Sequence, residues 1–373
     1  MEQEILTEEN IPLLKEKLEK INPKNILVVT GSASYESSGA KSLIEKIFIN
    51  RDLIYFNDFK VNPDIIDIKK GISLLKNTEI HFIVAIGGGS VIDMAKLIKS
   101  YINCDLFLDD LIKSNKIFSD NKIPFLAIPT TAGSGSESTH FAALYINGLK
   151  YSVSHELMLP DFALLIPSLT YNTPHYLTAC CGADALSQAI ESYWSVNSTE
   201  ESRNYAKEAF FLLWRFLPKA IMNDIEARNK VLTASNISGK AINISFTTAP
   251  HAYSYGLTSF HSIPHGHAVS LTLPYFFDLN LKVSSDNCND SRGPAFVKDK
   301  MNDLINFIDS DAENAPRKLS RFFNLIFGYI HIQVINKIIF DDRIKLAKII
   351  NIDRLQNNPV KISQKDIENM EFI

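Results

Sequence analysis

Short apolar runs alternate with helix-like segments along the first half of the chain. Four such runs are bounded by polar residues, proline or glycine: 26–29, 53–56, 82–86 and 125–128. Between them, residues 40–49 and 63–75 place apolar side chains three or four positions apart, as in a helix with one buried face. Buried strands that alternate with helices form parallel sheets, because each crossover connection needs a helix. The pattern predicts an α/β domain built on a parallel sheet.

The pattern changes after Pro167, where helical spacing dominates and strand signals become few. Four segments carry the helical pattern: 176–193, 200–216, 220–240 and 302–323. Pro218 separates the second of these segments from the third. A chain of 373 residues also exceeds the size at which one hydrophobic core stops growing, roughly 250–300 residues. We therefore expect two domains, an α/β domain over residues 1–168 and a helical domain over residues 169–373.

The composition argues against several classes of protein. With Lys+Arg 38 against Asp+Glu 42, the formal net charge is −4, so no nucleic-acid surface is expected. The acidic N-terminus lacks the apolar segment of a secretory signal, and the longest apolar stretch is interrupted by polar residues. The four cysteines show no Cys-x-x-Cys spacing: Cys104, Cys180, Cys181 and Cys288. We therefore expect a protein of the reducing cytoplasm that neither spans a membrane nor binds nucleic acid.

A glycine turn follows the third apolar run. It consists of Gly87, Gly88, Gly89 and Ser90, and helix-forming sequence continues after it. Glycines let backbone N–H groups approach a phosphate closely, and a helix N-terminus adds partial positive charge. The spacing differs from the Gly-x-Gly-x-x-Gly fingerprint, and a tight turn formed only for packing is the alternative interpretation.

A second turn, rich in glycine and hydroxyl side chains, follows the fourth apolar run. This hydroxyl loop spans residues 130–137. In an open parallel sheet, the turns that follow neighbouring strands face one crevice at the carboxyl ends of the strands. The glycine turn and the hydroxyl loop together therefore predict a nucleotide-binding site.

Carboxylate and imidazole side chains form a second candidate site. Asp184 and Gln188 are four positions apart in a helical segment, so they share one helix face. Four of the nine histidines lie close together farther along the chain: His251, His261, His265 and His267. Imidazole with carboxylate oxygen suits borderline divalent metals, so Asp184, His251 and His265 are a candidate ligand set. The structural alternatives are a helix cap at Asp184 and buried histidines bonded to carbonyl groups.

These motifs resemble those of the iron-containing (group III) alcohol dehydrogenase family. The segment 87–96 is similar to the family's pyrophosphate motif, and the segment 129–137 is similar to its second cofactor loop. Asp184, His251 and His265 match three of its four metal positions, whereas the C-terminal part of the chain matches only loosely. The resemblance implies a Rossmann-like N-terminal domain and an all-α C-terminal domain, the fold shared with dehydroquinate synthase.

The resemblance also implies roles for individual residues. NADPH or NADH is expected to contact Gly31, Ser32, Gly87, Gly88, Gly89, Ser90, Asp93, Thr130, Thr131, Ser134 and Lys150. A divalent metal ion, Fe2+ or Zn2+, is expected on Asp184, Gln188, His251 and His265. The residues expected to act in catalysis are Tyr255, His265 and Lys150.

Three positions depart from the family pattern. Gln188 stands where the family usually has histidine, and its neutral carboxamide oxygen is a weaker ligand than imidazole. Gly31 stands where NAD-selective members often carry aspartate, so the 2′-phosphate of NADPH would not be repelled, and Ser32 and Ser34 could donate hydrogen bonds to it. Tyr255 replaces a further histidine and could join a proton relay at the cofactor ribose.

Several segments look most like the phosphonoacetaldehyde reductase (hydroxyethylphosphonate dehydrogenase) branch of the family, namely 184–198, 247–251 and 264–267. A phosphonate carries up to two negative charges, and four cationic donors are candidates for binding it: His140, Lys150, Lys240 and His267. Taken singly, a residue of this kind is more often an ordinary surface or helix residue than a ligand-binding one. We expect NAD(P)H-dependent reduction of phosphonoacetaldehyde to 2-hydroxyethylphosphonate, with a metal ion that polarises the aldehyde oxygen.

Three other functions are compatible with the same residues. The protein could be a general iron-type alcohol dehydrogenase, or a dehydroquinate-synthase-like cyclase or lyase that uses its cofactor transiently. The replacement at Gln188 also leaves open a non-catalytic nucleotide-binding protein. If the protein is an enzyme, its expected partner is a small-molecule aldehyde substrate. The sequence leaves the oligomeric state open, with a homodimer as one alternative.

Overall fold

The computed structural model describes residues 3–102, 108–113, 122–147, 149–311, 313–338, 355–368 and 370. The chain divides into two compact units, Met1–Thr173 and Pro174–Ile373. This division lies a few residues after the boundary expected at residue 168. The first unit is α/β and the second is helical, as the sequence predicts.

A six-stranded parallel sheet forms the centre of the first unit. Its strands are β1 (Glu4–Thr7), β2 (Asn25–Thr30), β3 (Asp52–Phe56), β4 (Phe82–Gly87), β5 (Phe125–Pro129) and β8 (Phe162–Leu165). They lie in the order β1-β8-β5-β4-β2-β3. The four apolar runs of the sequence form β2 to β5, whereas the sequence does not indicate β1, which has one buried residue. A separate antiparallel hairpin consists of β6 (Phe141–Ile146) and β7 (Leu149–Ser154).

Helices cover both faces of the parallel sheet. The helices of this unit are α1 (Ile11–Ile21), α2 (Ser34–Ser37), α3 (Ala40–Ile47), α4 (Ile65–Leu74), α5 (Gly89–Tyr101) and α6 (Leu108–Lys113). Neighbouring residues of β4 point to opposite faces: Ile83 belongs to one core cluster with Met94 and Ile98 of α5. Val84 belongs to the other cluster, with Ile44 of α3. Burial on both faces explains why β2, β4 and β5 read as uninterrupted apolar runs. Strand β3 lies at the edge of the sheet, and only one of its residues is buried.

The second unit consists of helices, with no strand among the residues that the structure describes. These helices are α7 (His175–Trp194), α8 (Glu200–Ile221), α9 (Ile225–Ser245), α10 (Ala249–His261), α11 (His265–Leu281), α12 (Pro294–Ile308), α13 (Ala315–Phe327), α14 (Tyr329–Lys337) and α15 (Gln364–Glu368).

Two helix boundaries differ from the sequence prediction. Pro218 was expected to separate two helices, but α8 continues through it and ends at Ile221. A proline this close to a helix end removes one hydrogen bond from the last turns only, so the helix continues. The segment 302–323, predicted as one helix, is divided between α12 and α13. The break includes Ser310, whose φ of 59° cannot continue a helix.

Two further expectations concern the membrane and the cysteines. Among the described helices, none is both long enough and apolar enough to cross a membrane. Cys180, Cys181 and Cys288 are free thiols. Cys104 lies outside the described residues.

Candidate active site

The glycine turn lies where β4 meets α5. Gly88 has an extended backbone and α5 begins at Gly89, so the helix N-terminus follows the strand directly. A Cβ atom at Gly89 would approach the hydroxyl of Ser134 to 2.6 Å, and one at Gly88 would approach that of Thr131 to 3.2 Å. A side chain at Gly89 would force Ser134 to move, whereas one at Gly88 would be in tight contact with Thr131. The two turns that the sequence indicates are therefore in direct contact.

The hydroxyl loop follows β5, which pairs with β4. The N–H of Thr130 donates to the carbonyl of Gly87 at 3.0 Å, so the loop continues the strand pairing before it turns. Gly31 and Ser32 follow β2, on the other side of β4. Residues after all three strands thus lie at the carboxyl edge of the sheet, where open parallel sheets bind ligands.

Asp93 has a different environment from the one expected. Its Oδ1 accepts a hydrogen bond from Ser136 Oγ at 2.5 Å, and its Oδ2 accepts one from the N–H of Ala143 at 3.0 Å. Burial raises the pKa of this carboxyl, while Lys96 and Lys150 are among the groups that lower it. Each oxygen thus binds one donor from the protein, and the expected contact between Asp93 and the cofactor stays a prediction.

The candidate metal ligands come together in the second unit. Asp184 lies within α7, His251 lies in the first turn of α10, and His265 is the first residue of α11. The Nε2 atoms of His251 and His265 lie 3.1 Å and 4.0 Å from Asp184 Oδ1. One ligand atom from each of the three residues falls within 4.8 Å of the others. The helix-cap interpretation of Asp184 is wrong, because α7 begins at His175.

Glu191 determines how the His251 ring is held. It is fully buried, and its Oε2 contacts Nδ1 of His251. Its Oε1 accepts hydrogen bonds from the N–H of Thr248 at 2.9 Å and from the hydroxyl of Thr248 at 3.0 Å. Burial lowers the pKa of His251, but Glu191 and Asp184 outweigh this effect and hold it at about 9. The ring therefore presents Nε2 to Asp184, as in sites where a carboxylate orients a metal-binding histidine.

Close helix packing brings His265 to the cluster. A Cβ atom at Gly266 would lie 1.9 Å from the carbonyl oxygen of Cys180, so α11 approaches the backbone of α7 as only glycine allows. Tyr255 stacks against His265, with ring centroids 5.8 Å apart. This contact is consistent with a position for Tyr255 beside the metal ligands.

Gln188 lies one helical turn after Asp184 and is buried. Its Oε1 accepts a hydrogen bond from Ser238 Oγ at 3.1 Å. A carboxamide oxygen has two lone pairs, so this contact still permits coordination of a metal ion. One carboxylate, two imidazoles and one carboxamide oxygen together fit a borderline divalent ion.

The four candidate phosphonate donors lie on different elements. His140 and Lys150 belong to the first unit, whereas Lys240 on α9 and His267 on α11 belong to the second. Lys240 Nζ lies 5.8 Å from the centroid of the Tyr205 ring. Lys150 lies on β7 opposite Tyr145.

His267 does not suit the cationic role expected of it. Its Nδ1 contacts Tyr176 Oη and its Nε2 contacts His331 Nδ1, both at 2.9 Å. Burial and the neighbouring His331 lower the pKa of His267 to about 3, so the ring is neutral at pH 7. His267 is therefore a neutral residue of the core, and the expectation that it acts as a cationic donor for phosphonate is wrong.

Two residues with many contacts at these sites were not assigned a role by the sequence. Glu191 shares the helix face of Asp184, and this spacing was the only signal that could have marked it. Lys96 is fully buried and contacts Ser136 at the end of the hydroxyl loop and Thr139 just after it. Both lysines of α5, Lys96 and Lys99, are buried, and nothing in the local sequence indicates this burial.

Curated relatives are found among alcohol dehydrogenases. The probable alcohol dehydrogenase EutG of Escherichia coli is 32% identical over 262 residues, which are 69% of this chain and 64% of EutG. The alignment therefore spans slightly less than two thirds of that relative. The NAD-dependent methanol dehydrogenase of Bacillus methanolicus is 30% identical over 275 residues, 72% of each protein.

Solved structures match over nearly the whole chain. The sulfoacetaldehyde reductase of Bifidobacterium kashiwanohense in complex with NAD+ has a TM-score of 0.83 and 28% identity, covering 98% of this chain and 95% of that one. An iron-containing alcohol dehydrogenase of Thermotoga maritima has a TM-score of 0.78 and 28% identity, covering 99% and 96%.

Two family models match consecutive parts of the sequence. The model described as iron-containing alcohol dehydrogenase matches residues 3–167. The model of the C-terminal part of the Fe-containing alcohol dehydrogenase family matches residues 178–370. Because the two matches together span most of the sequence, the chain belongs to the iron-containing alcohol dehydrogenase family.

Proposed function

We propose that the protein reduces a small aldehyde to an alcohol with NADPH or NADH and a divalent metal ion, Fe2+ or Zn2+. One observation carries this proposal: ligand atoms of Asp184, His251 and His265 lie within 4.8 Å of one another. Glu191 contacts the Nδ1 atom of His251, on the side of the ring that faces away from Asp184. The reaction consumes aldehyde, NAD(P)H and one proton, and it yields alcohol and NAD(P)+. In such reactions the hydride chemistry belongs to the cofactor, and the protein supplies binding and orientation.

The metal ligands in this proposal are Asp184, Gln188, His251 and His265. A divalent ion bound to them would supply Lewis-acid polarisation of an aldehyde oxygen. Glu191 keeps the Nε2 atom of His251 directed at the site, and the hydroxyl of Tyr255 is a candidate to donate the proton. His265→Ala tests the ligand set, because it should remove bound metal and most activity while the far-ultraviolet circular dichroism spectrum is unchanged.

The cofactor-binding residues in this proposal surround the N-terminus of α5. Backbone N–H groups of the glycine turn would bind the pyrophosphate, and the hydroxyls of Thr131 and Ser134 lie beside them. Residues 31–35 carry no carboxylate, so the proposal includes NADPH as well as NADH. The similar sulfoacetaldehyde reductase was solved with NAD+, which supports a dinucleotide in this fold.

For the substrate we propose phosphonoacetaldehyde, which the enzyme would reduce to 2-hydroxyethylphosphonate. One support is the segment 184–198, which looks most like the phosphonoacetaldehyde reductase branch of the family. The other is the similarity to a sulfoacetaldehyde reductase, whose named substrate is also a short aldehyde with an anionic group. His140, Lys150 and Lys240 remain candidate cationic donors. Sulfoacetaldehyde is the second candidate, favoured by that structural match. A sulfonate carries one negative charge, whereas a phosphonate carries up to two.

The test is an anaerobic preparation with metal analysis, followed by assays of NADPH and NADH oxidation with phosphonoacetaldehyde, sulfoacetaldehyde and propanal. One NAD(P)+ formed for each aldehyde consumed would support the reductase. Equal rates with all three aldehydes would indicate a general alcohol dehydrogenase instead. Product formation without net NAD(P)+ would indicate cyclase or lyase chemistry, and cofactor binding without turnover of any aldehyde would indicate a non-catalytic protein.

A further inference from the structure

Lys96 is a fully buried cation in the first unit, and its contacts are unusual. Its Nζ donates to Ser136 Oγ at 3.0 Å, to Thr139 Oγ1 at 3.0 Å and to the carbonyl of Phe141 at 2.9 Å. All three partners are neutral oxygens that lie 40 to 45 positions away along the chain. Burial lowers the pKa of Lys96 to about 8, although Asp93 and Glu137 raise it. Burial of an ammonium group has an unfavourable free energy, because the group loses its hydration.

Asp93 contacts the same segment from the preceding helical turn. Its carboxylate accepts from Ser136 Oγ and from the N–H of Ala143. The hydroxyl of Ser136 thus lies between the carboxylate of Asp93 and the ammonium of Lys96. We call Asp93, Lys96, Ser136 and Thr139 the α5 brace.

The other side of the hydroxyl loop touches the start of the same helix. Ser134 packs against Gly89, and Thr131 packs against Gly88. Helix α5 therefore contacts the hydroxyl loop at its first turn, through the glycines, and holds the end of the loop through Asp93 and Lys96. The amide groups at the N-terminus of α5 and the hydroxyls of the loop are fixed relative to one another by one helix.

We propose that Lys96 and Asp93 are positioning residues for the dinucleotide, which hold the hydroxyl loop against the N-terminus of α5 so that both form one binding surface. This inference rests on the proposed function in one respect, namely that the glycine turn and the hydroxyl loop bind the cofactor. Asp93 then acts through Ser136.

The chain offers a matched control for Lys96. Lys99 lies on the same helix and is also buried, but it has different neighbours. Its Nζ lies 4.0 Å from Oδ2 of Asp161 and over the ring of Phe125. Lys96→Met and Lys99→Met each remove one buried ammonium from α5. Only the first removes contacts to the end of the hydroxyl loop.

Two measurements on the full-length protein separate the outcomes. Amide hydrogen exchange without cofactor should become faster over residues 130–143 in Lys96→Met, and should be unchanged there in Lys99→Met. The dissociation constant for NADPH, from fluorescence titration, should rise about tenfold or more in Lys96→Met and less than about twofold in Lys99→Met. KM for NADPH should rise in parallel, while kcat at saturating NADPH and the metal content should stay near those of the unmodified enzyme.

Ser136→Ala is the milder variant if Lys96→Met does not fold, since it removes only the hydroxyl shared by Asp93 and Lys96. The same local increase in exchange and a smaller loss of NADPH affinity are expected. Equal effects of Lys96→Met and Lys99→Met on exchange and affinity would overturn the inference, as would unchanged exchange over residues 130–143. If the unmodified protein binds neither NADPH nor NADH, the proposed function fails, whereas the exchange data still report on the α5 brace.

Discussion

The carboxylate of Glu191 contacts Nδ1 of His251 and leaves Nε2 of the same ring facing Asp184. The other oxygen of Glu191 binds the N–H and the hydroxyl of Thr248, directly before α10. Trp194, also on α7, donates to the same hydroxyl at 2.9 Å. One buried carboxylate therefore fixes both the position of the α10 N-terminus and the orientation of its histidine.

The first prediction is that Glu191→Gln weakens metal binding by about 10- to 100-fold, because a carboxamide polarises the imidazole less and does not enforce its orientation. Competition with a chromophoric chelator under anaerobic conditions measures the affinity. Ser187→Ala is the control, since the Ser187 hydroxyl donates to the carbonyl of Ala183 within the same helix. Equal metal affinity in Glu191→Gln and the unmodified protein would refute the orienting role.

The second prediction concerns Gln188, one of the three positions that depart from the family pattern. Gln188→His should tighten metal binding by about tenfold, because imidazole is a better donor than a carboxamide for borderline divalent ions. Gln188→Leu should weaken it, since it removes the donor and keeps a side chain of similar size. The same chelator competition measures both variants. If Gln188→Leu binds the metal as tightly as the unmodified protein, Gln188 is not a ligand.

The third prediction concerns the choice between NADPH and NADH. A carboxylate at position 31 should repel a 2′-phosphate, so Gly31→Asp should lower the ratio of kcat/KM for NADPH to that for NADH by about tenfold or more. A Cβ atom there would lie 2.4 Å from Ser34 Oγ, so the substitution is best combined with Ser34→Ala. Ser34→Ala alone is the control. A strong preference of the unmodified enzyme for NADH would show that selectivity arises elsewhere.

The fourth prediction is a pH dependence of stability that originates at Lys96. Its pKa is about 8 in the folded protein and 10.5 as the ordinary value. Between these values the unfolded chain binds more protons than the folded one, so the free energy of unfolding rises with pH. The destabilisation from this charge is complete below pH 8 and declines above it. From pH 7 to 9.5 the unmodified protein should gain about 2 kcal/mol relative to Lys96→Met, measured by urea denaturation. A difference that does not change with pH would contradict this assignment.

Local sequence predicts the parts of this protein that local chemistry determines. Strands β2, β4 and β5 read as apolar runs because both of their faces are buried. The glycine turn stands out because a side chain at Gly89 would collide with Ser134. The candidate histidine ligands were recognisable because they belong to a cluster of four histidines, and each of the two directly follows a proline. The resemblance to a known family then suggested a common role for them as metal ligands.

Contacts between distant segments explain what the sequence did not indicate. Glu191 and Thr248 are 57 positions apart, and Lys96 and Phe141 are 45 apart, so neither pair leaves a periodic signal. His267 shows the reverse error, because this histidine lies two positions after the candidate ligand His265 but contacts Tyr176 and His331 in the core. Its charge state depends on that burial, which spacing alone does not reveal.

The last prediction concerns the substrate. A site built for a phosphonate must hold cationic donors, and an uncharged aldehyde would leave them unpaired at a cost of about 1–3 kcal/mol or more. We therefore expect kcat/KM for phosphonoacetaldehyde to exceed that for propanal by at least about a hundredfold, roughly 2.7 kcal/mol at the transition state. Lys240→Met, Lys150→Met and His140→Asn should identify the donor, since the variant that removes it lowers the phosphonate rate and spares propanal. His267→Asn should instead lower stability without this selectivity, because the ring is a neutral part of the core. Similar values for both aldehydes in the unmodified enzyme would rule out a phosphonate-selective site and leave a general alcohol dehydrogenase.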